Sequence, residues 1–267
     1  MIPLPFFQVD AFAAEAFQGN PAAVMPLDHW LADATMQAIA AENNLSETAF
    51  TVPSEAEGAD FDLRWFTPTV EVDLCGHASL AAGHILIHGA AVRFATRAGI
   101  LTVTRDGHLL RLDLPAYAVE QGVEPGLLDA LGLPADTPTF LGRGGNGSAI
   151  ALVADEAAVR AVSPDFARLR TIDRLVMVTA PGDETAVISR VFAAYHGIDE
   201  DPVTGAAHAA LVPFWAEKLD RSRFTAFQAS KRGGHIDCEH RGAFAKEGGR
   251  VILGGQCVTV IEGHFQL

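Results

Sequence analysis

The chain has 267 residues, 49% of them hydrophobic and 19% charged, and a formal net charge of −14. This is enough apolar material for one large domain or two of about 130 residues, which excludes a disordered chain, and the acidic balance argues against nucleic acid or an anionic membrane as partner. No apolar run reaches the ~18 residues of a membrane span, the first residues lack the pattern of a signal peptide, and three cysteines without a CxxC pair point to a reducing cytoplasm.

In chain order, residues 6–12 read as a strand that runs into a Gly19-Asn20-Pro21 turn and a short strand at 22–24. Leu31, Ala34, Ala38 and Ala41 recur at helical spacing and predict a helix to about residue 42, with Asn43-Asn44 as its left-handed end. Strands follow at 48–52 and 61–66, the second stopped by Pro68. Leu74-Cys75-Gly76-His77 leads into a small-residue helix to about residue 88, and an Asp106-Gly107 turn joins strands at 100–104 and 109–114. Pro115 and residues 122–125 read as a linker, which divides the chain into a first lobe over 1–117 and a second over 118–267, the C-terminal strand being a candidate to cross back. The second half predicts a helix at 156–162, strands at 175–178 and 190–194, a glycine-led helix from Gly205, and late strands at 234–237, 251–253 and 257–261.

The two halves share landmarks. Gly19-Asn20-Pro21 is answered 126 positions later by Gly145-Asn146-Gly147, and Arg64-Trp65-Phe66 by Arg190-Val191-Phe192 at the same offset. Gly76-His77-Ala78 is answered by Gly205-Ala206-Ala207 at 129. A duplicated α/β unit accounts for this, with mainly antiparallel or mixed sheets, since hairpin-like pairs outnumber strict βαβ alternation. Duplicated units make two similar lobes with a cleft between them, and positions where the copies differ in polar residues are where chemistry is expected.

Glu47 lies where a helix ends and a strand begins, a place for a solvated surface charge or for a carboxylate that takes and returns a proton. At the 126-residue offset its counterpart is Asp173. His77 opens a helix, where it serves as a cap or as a donor to substrate; Asp201 precedes the second helix, where an acid serves the helix dipole or orients a ligand. Gly76 and Gly205 allow backbone to approach a ligand closely, and the free N–H groups of the helices they open suit an anion. His77, His84 and His88 share a helical face, but no carboxylate or thiol is spaced to complete a zinc site with them. The glycines at 142–147 lack the Gly-Lys-Ser/Thr ending of a phosphate loop.

Four segments, Phe17-Gln18-Gly19-Asn20-Pro21-Ala22, Asn44-Leu45-Ser46-Glu47-Thr48-Ala49-Phe50, Leu74-Cys75-Gly76-His77-Ala78 and Glu200-Asp201-Pro202-Val203-Thr204-Gly205, resemble in order and spacing the signatures of the PhzF-like isomerases, over essentially the whole chain. The resemblance implies a diaminopimelate epimerase-like α/β fold: two similar lobes, each a curved mixed or antiparallel sheet around a central helix. It implies Glu47 as proton carrier, with His77 and Asp201 as the other catalytic positions. Asn20, Ser46, Gly76, Thr204, Gly205 and Ala206 fall at substrate-binding positions. The chain departs from the pattern at Ala206, where many members carry serine, and at Thr204, which stands where the two-thiol epimerases have their second cysteine, so Cys75 reads as a small buried residue. The segment 227–234 resembles the family's glutamine-led loop only loosely and is assigned to lobe contact or substrate access.

Together these features predict a cytoplasmic isomerase that needs no metal and no cofactor and moves a proton between carbons of a small carboxylated metabolite; the resemblance implies a homodimer. The alternatives are an amino-acid-type epimerase or racemase, which needs a second acid or base, and a small-anion binding protein without turnover.

Overall fold

The computed structural model describes residues 2–143, 147–242 and 249–267. The chain divides into two compact units, Met1–Leu114 with Gly254–Leu267, and Pro115–Leu253. Among the described residues no helix is long and apolar enough to cross a membrane.

The first unit contains β1 (Pro3–Ala11), β2 (Asn20–Pro26), α1 (Asp33–Asn43), β3 (Glu47–Pro53), β4 (Phe61–Phe66), β5 (Glu71–Val72), α2 (Gly76–Leu86), β6 (Ala91–Thr96), β7 (Gly99–Asp106) and β8 (Leu109–Pro115). The second contains β9 (Val119–Gln121), α3 (Leu127–Leu131), β10 (Thr139–Gly142), β11 (Ser148–Leu152), α4 (Glu156–Ala161), α5 (Phe166–Leu169), β12 (Leu175–Pro181), β13 (Val187–Ala193), β14 (Ile198–Asp201), α6 (Gly205–Leu219), β15 (Arg223–Gln228), β16 (Gly234–Arg241) and β17 (Arg250–Gly255). The last strand, β18 (Cys257–Gln266), pairs antiparallel with β1 along its whole length.

Strand pairing reproduces the duplication. In the first unit β1–β2 is antiparallel, β2–β3 parallel, β3–β4 antiparallel, β4–β6 parallel and β6–β7 antiparallel. The second unit runs through the same senses over β10, β11, β12, β13, β15 and β16. The fold is therefore α/β with mixed sheets in two similar units. Register refines the correspondence. Ala22 faces Glu47, whereas Ser148, 126 positions after Ala22, faces Leu175. The structural counterpart of Glu47 is thus Leu175, not Asp173, because two extra residues lie between the paired strands of the second copy. The Gly145-Asn146 turn expected from the repeat lies outside the described residues.

Each unit encloses one apolar helix. Residues Gly76 to Gly83 of α2 are all buried, and the helix packs on β1, β2, β3, β7 and β18. A helix apolar on every face has to be surrounded, and here strands do so. Small residues allow close approach: a Cβ built on Gly83 would lie 2.6 Å from Val103 Cγ1. Residues Ala207 to Ala216 of α6 are likewise all buried despite an internal proline. Pro213 cannot donate to the Ala209 carbonyl four residues earlier, and the Tyr117 backbone N–H fills that acceptor at 2.9 Å. The remaining helices cover outer sheet faces. In the first unit α1 brings Met36, Ile39 and Ala40 onto Met25, Phe50 and Phe66; in the second Leu127, Val159 and Leu169 meet Val176, Val178 and Phe192.

Candidate active site

In the first unit the ends of β2, β3 and the start of α2 bring Asn20, Glu47, Cys75 and His77 together. Gly19 makes this possible. Its φ is +63°, and a Cβ there would stand 2.1 Å from the Ala11 carbonyl oxygen, so no other residue fits the turn that delivers Asn20 to β2. Asp10 closes the preceding loop by accepting the Phe17 N–H at 2.7 Å. Asn44, in the left-handed conformation, ends α1, and half-buried Ser46 stands in the bend before β3. Glu47 then opens the strand.

His77 is the centre of the group. Its Nδ1 lies 3.2 Å from Asn20 Nδ2 and 3.5 Å from Cys75 Sγ, and its Nε2 lies 3.2 Å from Glu47 Oε2. Burial lowers its pKa from 6.5 to about 3, so the ring is neutral at neutral pH. With an amide and a thiol both directed at Nδ1, the single ring proton sits on Nε2 and faces the carboxylate. That approach lacks the alignment of a full hydrogen bond. The Glu47 side chain retains 12% exposure against 4% for His77, while Oε2, the oxygen that faces the ring, is itself buried. Ligand atoms of Glu47, Cys75 and His77 all fall within 4.8 Å of one another. The other two histidines of the sequence pattern do not converge with them: His84 bonds Thr259 at 3.1 Å, and His88 lies beyond the end of α2 and is exposed.

The second unit carries a separate polar group at the start of α6. The Thr204 hydroxyl donates to Asp201 Oδ2 in a short bond. Gln228, fully buried at the end of β15, accepts the Thr204 N–H at 2.9 Å and donates to the Asp201 carbonyl at 2.7 Å. His208 Nδ1 approaches the Thr204 carbonyl at 2.8 Å, and burial lowers this histidine's pKa to about 4, the Thr204 bond acting in the opposite sense. The equivalent position 129 residues earlier is Ser79, whose hydroxyl donates to the Cys75 carbonyl at 2.5 Å. Both helix starts are thus tied to the residue before them from one turn inside. Neither has a side-chain cap, which leaves first-turn amides to other acceptors. Gly205 is buried and Ala206 half-exposed.

The sequence profile of the phenazine biosynthesis-like proteins (PhzC-PhzF) matches residues 9–263. The chain belongs to the phenazine biosynthesis-like family. An uncharacterized isomerase of Pseudomonas aeruginosa is 46% identical over 271 residues, covering 99% of each chain. A PhzF-family phenazine biosynthesis protein from Enterococcus faecalis superposes with a TM-score of 0.88 at 41% identity, covering 100% of both chains. A hydroxyproline epimerase from Agrobacterium vitis, at 12% identity with 98% of this chain and 93% of that one covered, shares the fold with a TM-score of 0.65. This phenazine biosynthesis-like protein is an isomerase.

Of the residues expected from its sequence, Asn20, Glu47, Gly76 and His77 gather in the first unit, and Asp201, Thr204, Gly205 and Ala206 in the second. Gln228 and His208 were missed as organisers of the second group. Gln228 falls in the segment assigned to lobe contact or access, whereas its side chain is spent inside its own unit on Thr204 and Asp201. The helical spacing of His208 from Thr204 was the available signal for the other.

Proposed function

We propose that this isomerase works without metal or cofactor and moves a proton between carbons of a small carboxylated metabolite, with Glu47 taking the proton and returning it. The observation that carries this reading is the contact between the carboxylate of a partly exposed glutamate side chain and a buried, neutral imidazole. A neutral donor steadies the Glu47 carboxylate without holding it as tightly as a cation would, so the carboxylate remains a usable base. Asn20 and Cys75 fix the tautomer that makes this possible. Within the second unit Asp201, oriented by Thr204 and Gln228, is the candidate positioning residue; the uncapped helix starts, Gly76 in one unit and Gly205-Ala206 in the other, each offer amides of the kind that suit a carboxylate or the negative charge that develops as a proton leaves. Ser46 lines the approach to Glu47. The protein acts as a cytoplasmic homodimer within a biosynthetic route.

Glu47→Gln preserves the shape of the side chain and removes the base. Solvent deuterium should cease to enter a substrate found by screening carboxylated metabolites, while calorimetry should still register binding. Full exchange in that variant would overturn the assignment.

An epimerase acting on an amino-acid-like carbon is the second reading, favoured by the placement of the Cys75 thiol beside His77. It requires a base on the opposite face of the carbon, and the position equivalent to Cys75 in the second copy is Thr204, which has no thiol. Deuterium NMR of the product distinguishes inversion at one carbon from transfer between two.

A further inference from the structure

Glu47, Cys75 and His77 are three metal-ligating side chains of three kinds, gathered within one unit with a ligand atom of each inside a 4.8 Å span. Cys75 Sγ lies 3.5 Å from His77 Nδ1, and His77 Nε2 lies 3.2 Å from Glu47 Oε2. Each of these, taken singly, matches an edge of a zinc tetrahedron, in which bonds of about 2.3 Å to sulfur and about 2.0 Å to nitrogen or oxygen set neighbouring ligands about 3.3–3.6 Å apart. The imidazole meets its two neighbours through different nitrogens, so gathering all three on one ion needs a turn of the ring or of the carboxylate, both terminal groups with broad torsions. The backbone is already in place, because Cys75 and His77 flank the start of α2 and Glu47 opens β3.

We propose that Glu47, Cys75 and His77 form a site for a zinc-class divalent cation, and that its occupation silences the isomerase. Thiolate, imidazole and carboxylate together select a borderline-soft ion over magnesium or calcium, which take oxygen ligands. As the metal–sulfur bond forms, the Cys75 thiol releases its proton to solvent, and three protein ligands leave a fourth position to water. Silencing rests on the reading of Glu47 as proton carrier, since a carboxylate engaged by metal cannot take a substrate proton. Binding rests only on the three ligands.

Cobalt(II) reports a thiolate ligand directly through its near-ultraviolet sulfur-to-metal charge-transfer band. The intact protein should bind one cobalt ion with that band, zinc should displace it, and calorimetry in two buffers of different ionisation enthalpy should register proton release. Cys75→Ser should lose the band and weaken zinc binding by more than about tenfold, a loss that even removal of a ligand's hydrogen-bond partner produces. Glu47→Gln, which leaves the thiol in place, should weaken zinc and keep the band. Absence of the band in the intact protein overturns the site. So does a band that survives in Cys75→Ser and therefore belongs to Cys238 or Cys257. A site that gives the cobalt band and takes zinc in its place, but whose occupation by zinc leaves deuterium exchange unchanged, overturns the silencing, and with it Glu47 as proton carrier, while the metal site stands.

Discussion

Two of the buried histidines, His77 in the first unit and His208 in the second, give the protein an acid-sensitive stability. Burial holds His77 near a pKa of about 3 and His208 near about 4, both below the ordinary 6.5 that they recover on unfolding. In that window the unfolded chain binds more protons than the native one. The stability associated with each neutral ring is fully present above about pH 6.5 and is lost as pH falls toward the native values, with a slope approaching about 1.4 kcal/mol per pH unit for each proton. Urea unfolding between about pH 7 and 5 should follow this trend. His208→Gln, which keeps a donor for the Thr204 carbonyl, should remove about one proton's share of the slope; an unchanged slope would show that His208 does not stay neutral in the native state. None of this burial is readable from the residue type. A histidine at a helix start is as good a cap as a member of a polar group, and its contacts with Asn20 and Glu47 lie 57 and 30 positions away in sequence, beyond the reach of any local pattern.

At the scale of elements, the duplication preserves an electrostatic unit as well as a strand order. Arg64 binds Glu71 through two bonds of 2.7 and 2.8 Å and lies over Phe66; Arg190 binds Glu200 through bonds of 2.7 and 3.0 Å and lies over Phe192. Arg64 holds the Glu71 carboxyl below its usual range. In both copies this pair ties the strand before the central helix to its neighbour, just ahead of Cys75 or Thr204. The repeat of Arg64-Trp65-Phe66 was legible because no residues are inserted within it. The Glu47 counterpart was not, because the extra residues of the second copy fall in an irregular segment where sequence has no period to reveal a shift. A different element-level constraint is the close approach of α2 to β7. Gly83→Ala gains about 1 kcal/mol of helix propensity, but its methyl would meet Val103 at 2.6–2.9 Å, and overpacking of this kind costs about 1–3 kcal/mol. A net loss of about 1 kcal/mol is expected in urea unfolding. Combined with Val103→Ala, which removes the two Cγ contacts and leaves the Val103 Cβ contact at 2.8 Å, the same substitution should cost less, a coupling that a double-mutant cycle measures.

For the whole molecule, the consequence of the chain path is that the first unit is discontinuous: it is left at Leu114 and completed only by residues from Gly254 onward. β18 supplies β1 with one of its two neighbours over nine paired positions, and α2 packs against it. Without β18, β1 would expose a long row of unpaired backbone groups, and α2 would lose part of its enclosing wall. The second unit makes no such demand, since its strands from β9 to β16 pair among themselves. Tryptophan positions separate the two outcomes. Trp65 is 1% exposed within the first unit, whereas Trp215, at 4%, donates to Thr179 Oγ1 at 3.0 Å within the second. In a chain ending before Cys257, a variant retaining only Trp65 should emit as an exposed indole, and one retaining only Trp215 should still emit as a buried one. Glu47-dependent deuterium exchange should be absent from both. A peptide of β18 added in trans should restore burial of Trp65 by completing the sheet edge, the mode by which extended strands dock on open edges. Burial of Trp65 in the truncated chain without that peptide would mean that the first unit closes on its own, and that the return of the chain is an accessory to the fold rather than a condition of it.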